Sequence, residues 1–295
     1  MPDRFYSYAG LTIRSELPIV EWDSFEIPPS PHDVAVRALP EQPLGDDPRW
    51  IARTGAGDGA WRQDVANVAS FIVTDSEIAV TPCPGAEMDT VRVFLLGSAW
   101  GILCYLRGIA ILHASVVRVG DGAVAFCGES GAGKSSLAAW LISRGHGLIC
   151  DDLCRVEIPD TGPVLVHRSA PKVKLWRDAI EEIGWSPDGC RRDHARMDKF
   201  HMPVAADVDE RVPLRAINVL TWGDLKRTRL TGSSALRRLV AAATYRGEVV
   251  DELGGLAAQW ETLASIAERT PIYELSRPRD WSAMASAAAL LVGDS

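Results

Sequence analysis

Apolar and polar positions alternate in short runs through the first part of the chain. Leu11 to Ile13 and Ser70 to Val73 are such runs, set among segments rich in Pro and Gly, which predicts strands joined by turns up to about Pro84. The pattern then changes. From Asp89 to Arg107 apolar residues fall nearly all round a helical projection, so this helix must be covered on several sides. Its longest uncharged stretch, Val93 to Leu106, is fenced by Arg92 and Arg107, falls short of the ~18–20 residues of a membrane span and is expected to be a buried core helix. Beyond it, ILHASVVRV and AVAFC flank Gly120-Asp121-Gly122, and Asp-Gly between two such runs predicts a hairpin. RAINVLTW reads as a further strand, and Ser234 to Arg246 and Leu253 to Arg269 have helical spacing. No internal repeat interrupts this order. The expectation is an α/β protein with a β-rich (α+β) N-terminal domain at 1–88, a connecting core helix at 89–108 and a larger mixed domain at 109–295.

Composition narrows the function. With 31 Lys and Arg against 39 Asp and Glu the formal charge is −8, and 47% of residues are hydrophobic, which excludes disorder and any nucleic-acid binder working through a general basic surface. An anion site must therefore be local. The opening MPDRFYSYAGLTIRSELP lacks a basic region followed by an apolar one, so a cytoplasmic chain with no membrane or nucleic-acid partner is expected. Cys83, Cys104, Cys127, Cys150, Cys154 and Cys190 form no CxxC pair and are expected to be reduced core residues.

One local anion site is written in the chain. Residues 128–135, GESGAGKS, satisfy G-x-x-x-x-G-K-[ST] between the apolar strand Ala123 to Cys127 and the helical run SLAAWLISR. Gly128, Gly131 and Gly133 let the loop curl, so that the backbone N–H groups of Glu129, Ser130, Ala132 and the residues around them, through Ser136, face phosphate oxygens. Lys134 is then expected to reach the β- and γ-phosphates of a nucleotide, and the Ser135 hydroxyl to be a ligand for Mg²⁺. A second signal, Asp151-Asp152, is expected to end the short strand Gly147 to Cys150, which with the P-loop strand and helix makes one right-handed βαβ unit of parallel neighbours ending on the same sheet edge. Two adjacent acids allow two tasks: one holds Mg²⁺, and the other takes the proton of an attacking hydroxyl.

The strand ILHASVV with His113, the loop GESGAGKSS and the segment RGHGLICDD together resemble the core of the HPr kinase/phosphorylase family, over about Ile109 to Val156. PKVKLW, MDKFHMP, PLRAINVL and the opening YSYAGLTIRSELP are similar to shorter, divergent members of that group. The resemblance implies a P-loop kinase domain of the HPr kinase type, passing the γ-phosphoryl of ATP to a serine hydroxyl. Carried over by position, it makes Asp151 the base, Asp152 the magnesium partner and His113 an assistant to either. The chain departs from authentic HPr kinases after the core: no LEIRGLG-like segment is present, and Lys172 and Lys174 stand where its Glu would fall. A C-terminal loop of the kind tied to phosphorylase activity is also missing. Divergent members are associated with ribosomal peptide biosynthesis, lasso peptides included, which implies a serine on a precursor peptide or a protein as acceptor. A free-serine or sugar kinase and an ATP-binding regulatory module are the alternatives, and a homo-oligomer is left open.

Other residues invite weaker readings. Arg191, Arg192, His194, Arg196 and Lys199 make a basic island that would grip an anionic acceptor or, through Lys199, a phosphate; a solvated loop explains it as well. The same choice holds for Lys226, Arg227 and Arg229. Trp176 and Trp185 are candidates for an adenine or substrate wall, with packing as the default, and Cys150 and Cys154 are expected to pack.

Overall fold

Eight short strands built from alternating residues make the first sheet, and a P-loop strand with its neighbours makes the second. The computed structural model describes residues 2–45, 50–53, 59–193, 198–205 and 208–292. They divide into two compact units, Met1–Ile109 with Arg246–Leu256, and Ala110–Tyr245 with Ala257–Ser295.

In the first unit the strands are β1 (Arg4–Tyr8), β2 (Leu11–Ser15), β3 (Glu26–Ile27), β4 (Val34–Ala38), β5 (Ala52–Arg53), β6 (Trp61–Val65), β7 (Ala69–Val73) and β8 (Glu77–Pro82). Their order is β3-β1-β2-β4-β8-β7-β6-β5. The strictly alternating burial of β2 shows the two-residue period at work, and Tyr6, Ile13, Trp22, Phe71 and Ile78 are fully buried. The apolar helix runs from Met88 to Leu106, as α1 (Met88–Phe94), a π-helical turn Leu95–Ala99 and α2 (Trp100–Leu106). Its 19 residues exceed the stretch inferred from sequence and reach the length of a membrane span, but 61% of its apolar window is buried within the protein. Trp100 packs edge-on against Trp22 at 5.3 Å, so this is a core helix, as its all-round apolar pattern required.

The second unit contains β9 (Ile111–Val119), β10 (Gly122–Cys127), β11 (Leu148–Glu157), β12 (Leu165–His167), β16 (Arg211–Trp222), β17 (Lys226–Leu230) and β18 (Ile272–Arg277) in one seven-stranded sheet. Between them in sequence, β13 (Lys172–Trp176), β14 (Arg191–Arg192) and β15 (Lys199–Pro203) form a separate small sheet. β9 and β10 are the expected hairpin, with Gly122 opposite Val119 around the two-residue turn Gly120-Asp121. The helices are α3 (Lys134–Ile142), α4 (Arg177–Glu182), α5 (Gly232–Ala243), α7 (Leu256–Arg269) and α8 (Met284–Val292), while α6 (Gly247–Glu252) belongs to the first unit. Leu239, Ala242, Leu263 and Ile266 of α5 and α7 pack on one face of the large sheet. Leu137, Leu141, Ala288 and Leu291 of α3 and α8 pack on the other, giving three layers.

One expectation needs correction. β11 is not a hydrogen-bonded neighbour of the P-loop strand, because β9 lies between β10 and β11 and is antiparallel to both. Nor does the strand end at the two aspartates; it continues to Glu157. Their level is nevertheless as expected. Asp151 and Asp152 pair with Ser115 and Ala114, which pair in turn with Phe126 and Cys127, the last residues before the loop. Parallel β16 and β18 end on this same edge, at Trp222 and Arg277.

Candidate functional site

The loop 128–133 takes its shape from glycine: Gly128, Gly131 and Gly133 have φ of 149°, 84° and 83°, conformations that L side chains rarely adopt. The Gly128 N–H donates to Ala242 O (3.1 Å), anchoring the start of the loop to the end of α5. Gly133 caps α3, whose first N–H groups have no partner within the helix. Lys134 is buried, not at the loop surface as its position in a glycine-rich turn suggests. Its Nζ donates to Gly128 O (2.7 Å) and Glu129 O (3.2 Å), and burial lowers its pKa.

Around the loop lies a cleft of about 300 Å³. Ser130, Gly131, Gly133, Lys134, Ser135 and Ser136 form its floor. His113, Asp151, Asp152, Lys174, Trp176 and Lys199 line one part of its wall. Asp152 has φ of 84°, a left-handed conformation inside a strand, which interrupts the alternation that would send two consecutive side chains to opposite faces. Both carboxylates therefore reach the cleft. Asp151 Oδ1 accepts from Ser115 Oγ (2.6 Å) and Ser135 Oγ (2.9 Å), and its Oδ2 accepts the Lys174 backbone N–H (2.8 Å). Asp152 Oδ2 accepts from Lys174 Nζ (2.8 Å), and its Oδ1 lies 3.3 Å from His113 Nδ1.

These contacts set the charges. Burial alone would raise the Asp152 carboxyl, but the Lys174 ammonium and His113 hold it well below the usual range. Burial opposes the Lys174 charge, yet Asp152 and Asp193 (3.7 Å) raise its pKa. Asp193 is gripped in turn by His201 Nε2 at 2.6 Å, and burial pushes His201 down to about 4. Lys174, noticed in the sequence only as a departure from a motif, thus joins the aspartate pair to the small sheet.

The basic island separates on folding. Lys199 lines the cleft; Arg191 Nη2 instead meets His201 Nδ1 (2.8 Å), and Arg192 pairs with Asp198 (3.6 Å) and lies over Phe200. Arg196 and His194 lie outside the described residues. Arg227 stacks on Tyr273 at 3.7 Å and donates to Asn218 Oδ1, so with Lys226 and Arg229 it belongs to β17 and not to a loop. Trp176 lines the cleft with its ring exposed, whereas Trp185 packs on the core under α3 and β13. Cys150 and Cys154 are buried, and the Cys154 thiol is raised by Cys150 and by burial, which fits packing. A further part of the wall, Trp222, Arg277, Arg279, Trp281 and Met284, was not anticipated. Only the aromatic and basic character of TW and SRPRDW hints at it.

Ser135 Oγ and Asp151 Oδ1 are hard oxygen donors, which suits Mg²⁺, an ion that takes few protein ligands and keeps several waters.

Residues 106–176 match the family described as HPr Serine kinase C-terminal domain. Curated relatives include HPr kinase/phosphorylase of Azoarcus sp. (strain BH72), 36% identical over 41% of this chain and 36% of its own. That of Nitrosomonas europaea is 44% identical over 40% and 39%, and that of Aromatoleum aromaticum 31% over 47% and 42%. The chain therefore spans about two fifths of the length of these relatives. The Hpr(Ser) kinase/phosphatase structure from Coxiella burnetii covers 63% of this chain and 96% of its own, at 12% identity and a TM-score of 0.34. The matched segment holds β9, the loop, α3, β11 and β13, the elements that carry His113, Lys134, Asp151, Asp152 and Lys174. The chain, an α/β P-loop unit with a β-rich N-terminal region, is thus similar over residues 106–176 to the C-terminal domain of HPr kinases.

Proposed function

We propose that the protein is an ATP-dependent kinase that transfers the γ-phosphoryl group to a serine hydroxyl of a peptide or protein. The observation that carries this reading is the meeting of Lys134, Ser135, Asp151 and Asp152 in one cleft. In the reaction the acceptor oxygen bonds to the γ-phosphorus, the bond to the β-phosphate oxygen breaks, ADP leaves and the hydroxyl proton passes to a carboxylate.

The contacts favour assigning the two aspartates in the reverse of the order the resemblance implies. Asp151 is hydrogen-bonded to Ser135, so this pair would hold Mg²⁺, whose charge offsets that on the phosphates. Asp152, beside His113, is left to orient the acceptor hydroxyl and take its proton. A carboxylate held by Lys174 is a weak base, which suits a loose transition state in which the proton leaves late. Trp176 and Lys199 supply an exposed aromatic ring and a cation at the same wall for the acceptor chain.

The test is intact-mass measurement of serine-containing peptides, lasso-type precursors among them, after incubation with protein, ATP and Mg²⁺. A gain of one phosphate on serine supports the proposal. Phosphate on free serine or a sugar alone would replace it by the small-molecule reading, and hydrolysis unaffected by any acceptor would replace it by a regulatory module.

A further inference from the structure

Arg277 ends β18 with 2% of its surface exposed, and among the described residues it has no carboxylate partner. Its Nε is buried without any hydrogen-bond partner, and among the described residues the one hydrogen bond of its side chain is a long one from Nη1 to Pro278 O (3.4 Å). Burial without a compensating charge lowers its pKa to about 10. A guanidinium in that state is costly to bury and contributes little to folding.

Its position gives the charge a use. Arg277 lines the cleft beside the loop, and a Cβ built on Gly133 would lie 2.2 Å from its Nη2 and 3.3 Å from the edge of Trp222. The guanidinium thus lies over the residue that caps α3, where the N–H groups of the first helical turn await an acceptor. Trp222 fixes it there, its ring centroid 4.4 Å from the guanidinium carbon. Arg277 and these amides address the same point, and the ligand that satisfies both is an anion with several oxygens.

We infer that Arg277 is a phosphate-binding residue for the polyphosphate chain of the nucleotide, held over the Gly133 turn by Trp222. This rests on the reading of the loop as a nucleoside triphosphate site and adds a second cation, from the far end of the chain, to Lys134. It also explains why position 133 must be glycine twice over: the backbone is left-handed, and a side chain would displace the guanidinium.

The test measures binding of ATP and of inorganic tripolyphosphate, which has no base, to the full chain and to Arg277→Met, Arg277→Lys and Lys134→Ala. Arg277→Met should weaken both ligands by the same factor, roughly ten- to a hundredfold, as expected for lost charged hydrogen bonds. Its melting temperature without ligand should stay level or rise, since a buried unpaired charge has gone. Unchanged tripolyphosphate binding overturns the inference, whether or not ATP binding falls. So does a lower melting temperature with unchanged affinity, the sign of a structural residue. Should Arg277→Met not fold, Arg277→Lys decides: it keeps the charge but loses the planar fork, so a smaller loss for both ligands supports the role and full affinity overturns it. If Lys134→Ala also binds both ligands as the parent does, the nucleotide site itself is wrong. If only Lys134→Ala loses affinity, the site stands and Arg277 is not part of it.

Discussion

The two ends of the cleft handle charge in opposite ways. At one end Asp151, Asp152, Lys174, Asp193 and His201 form a chain in which each charge touches its opposite or a hydrogen-bond donor. At the other, Arg277 is buried with its Nε unsatisfied. The contrast separates groups that hold their own geometry from a group that waits for a ligand. Removing one member of the paired end strands the rest and costs stability, while removing the unpaired cation costs only binding.

Experiments can break this contrast. The largest effect is expected at Asp152: Asp152→Asn should cut phosphoryl transfer by ~10²–10⁴-fold with ATP affinity retained, as measured by single turnover. Added Mg²⁺ should not recover the rate, whereas Asp151→Asn should respond to it; the opposite pattern would return the roles to those the resemblance implies. Next is Lys174→Met, which leaves Asp152 and Asp193 facing each other without their cation. It should destabilise the protein by about 3–5 kcal/mol in urea unfolding, the range for breaking a buried pair. With the ammonium gone the Asp152 carboxyl rises, so the variant's rate should fall as pH is lowered through a range where the parent's is flat. A stability matching the parent's would show that the paired end is no more committed than Arg277.

Smaller again is the effect of acid on His201. Its folded pKa of about 4 lies below the ordinary ~6.5, so the unfolded chain binds the extra proton between these values. Stability from this group is therefore fully present above about 6.5 and is lost as pH falls toward 4. His201→Gln should reduce the drop in melting temperature between neutral and acid pH. An unchanged drop would remove His201 from the network's titration.

The sequence revealed what depends on local identity. GESGAGKS showed the loop because the backbone angles at Gly128, Gly131 and Gly133 are open to few other residues, and the hairpin turn has the same signature at Gly120, whose φ is 59°. The aspartates were legible in level but not in neighbourhood, because strand order is non-local and nothing in RGHGLICDD says that β9 intervenes. Their tasks were hidden too, since Ser115, Ser135 and Lys174 come together only on folding. Arg277 was illegible for a different reason: an arginine after a strand looks the same whether it is solvated or buried, and its lack of a partner is a property of the folded protein alone.

The β9–β10 hairpin ties the timing of site formation to its turn. His113 and Ser115 lie two residues apart and so share a face of β9, the one turned toward both aspartates. A slip of one residue at Gly120-Asp121 would rotate both to the opposite face, although the turn lies five residues beyond Ser115, ~17 Å along an extended strand. The chain can close this hairpin early, from neighbouring residues, before α3 or β11 has docked. A remote two-residue turn thus acts as the gauge against which His113 and Ser115 later meet the two aspartates, and an insertion there would give a protein that still folds its P-loop but never aligns its acids.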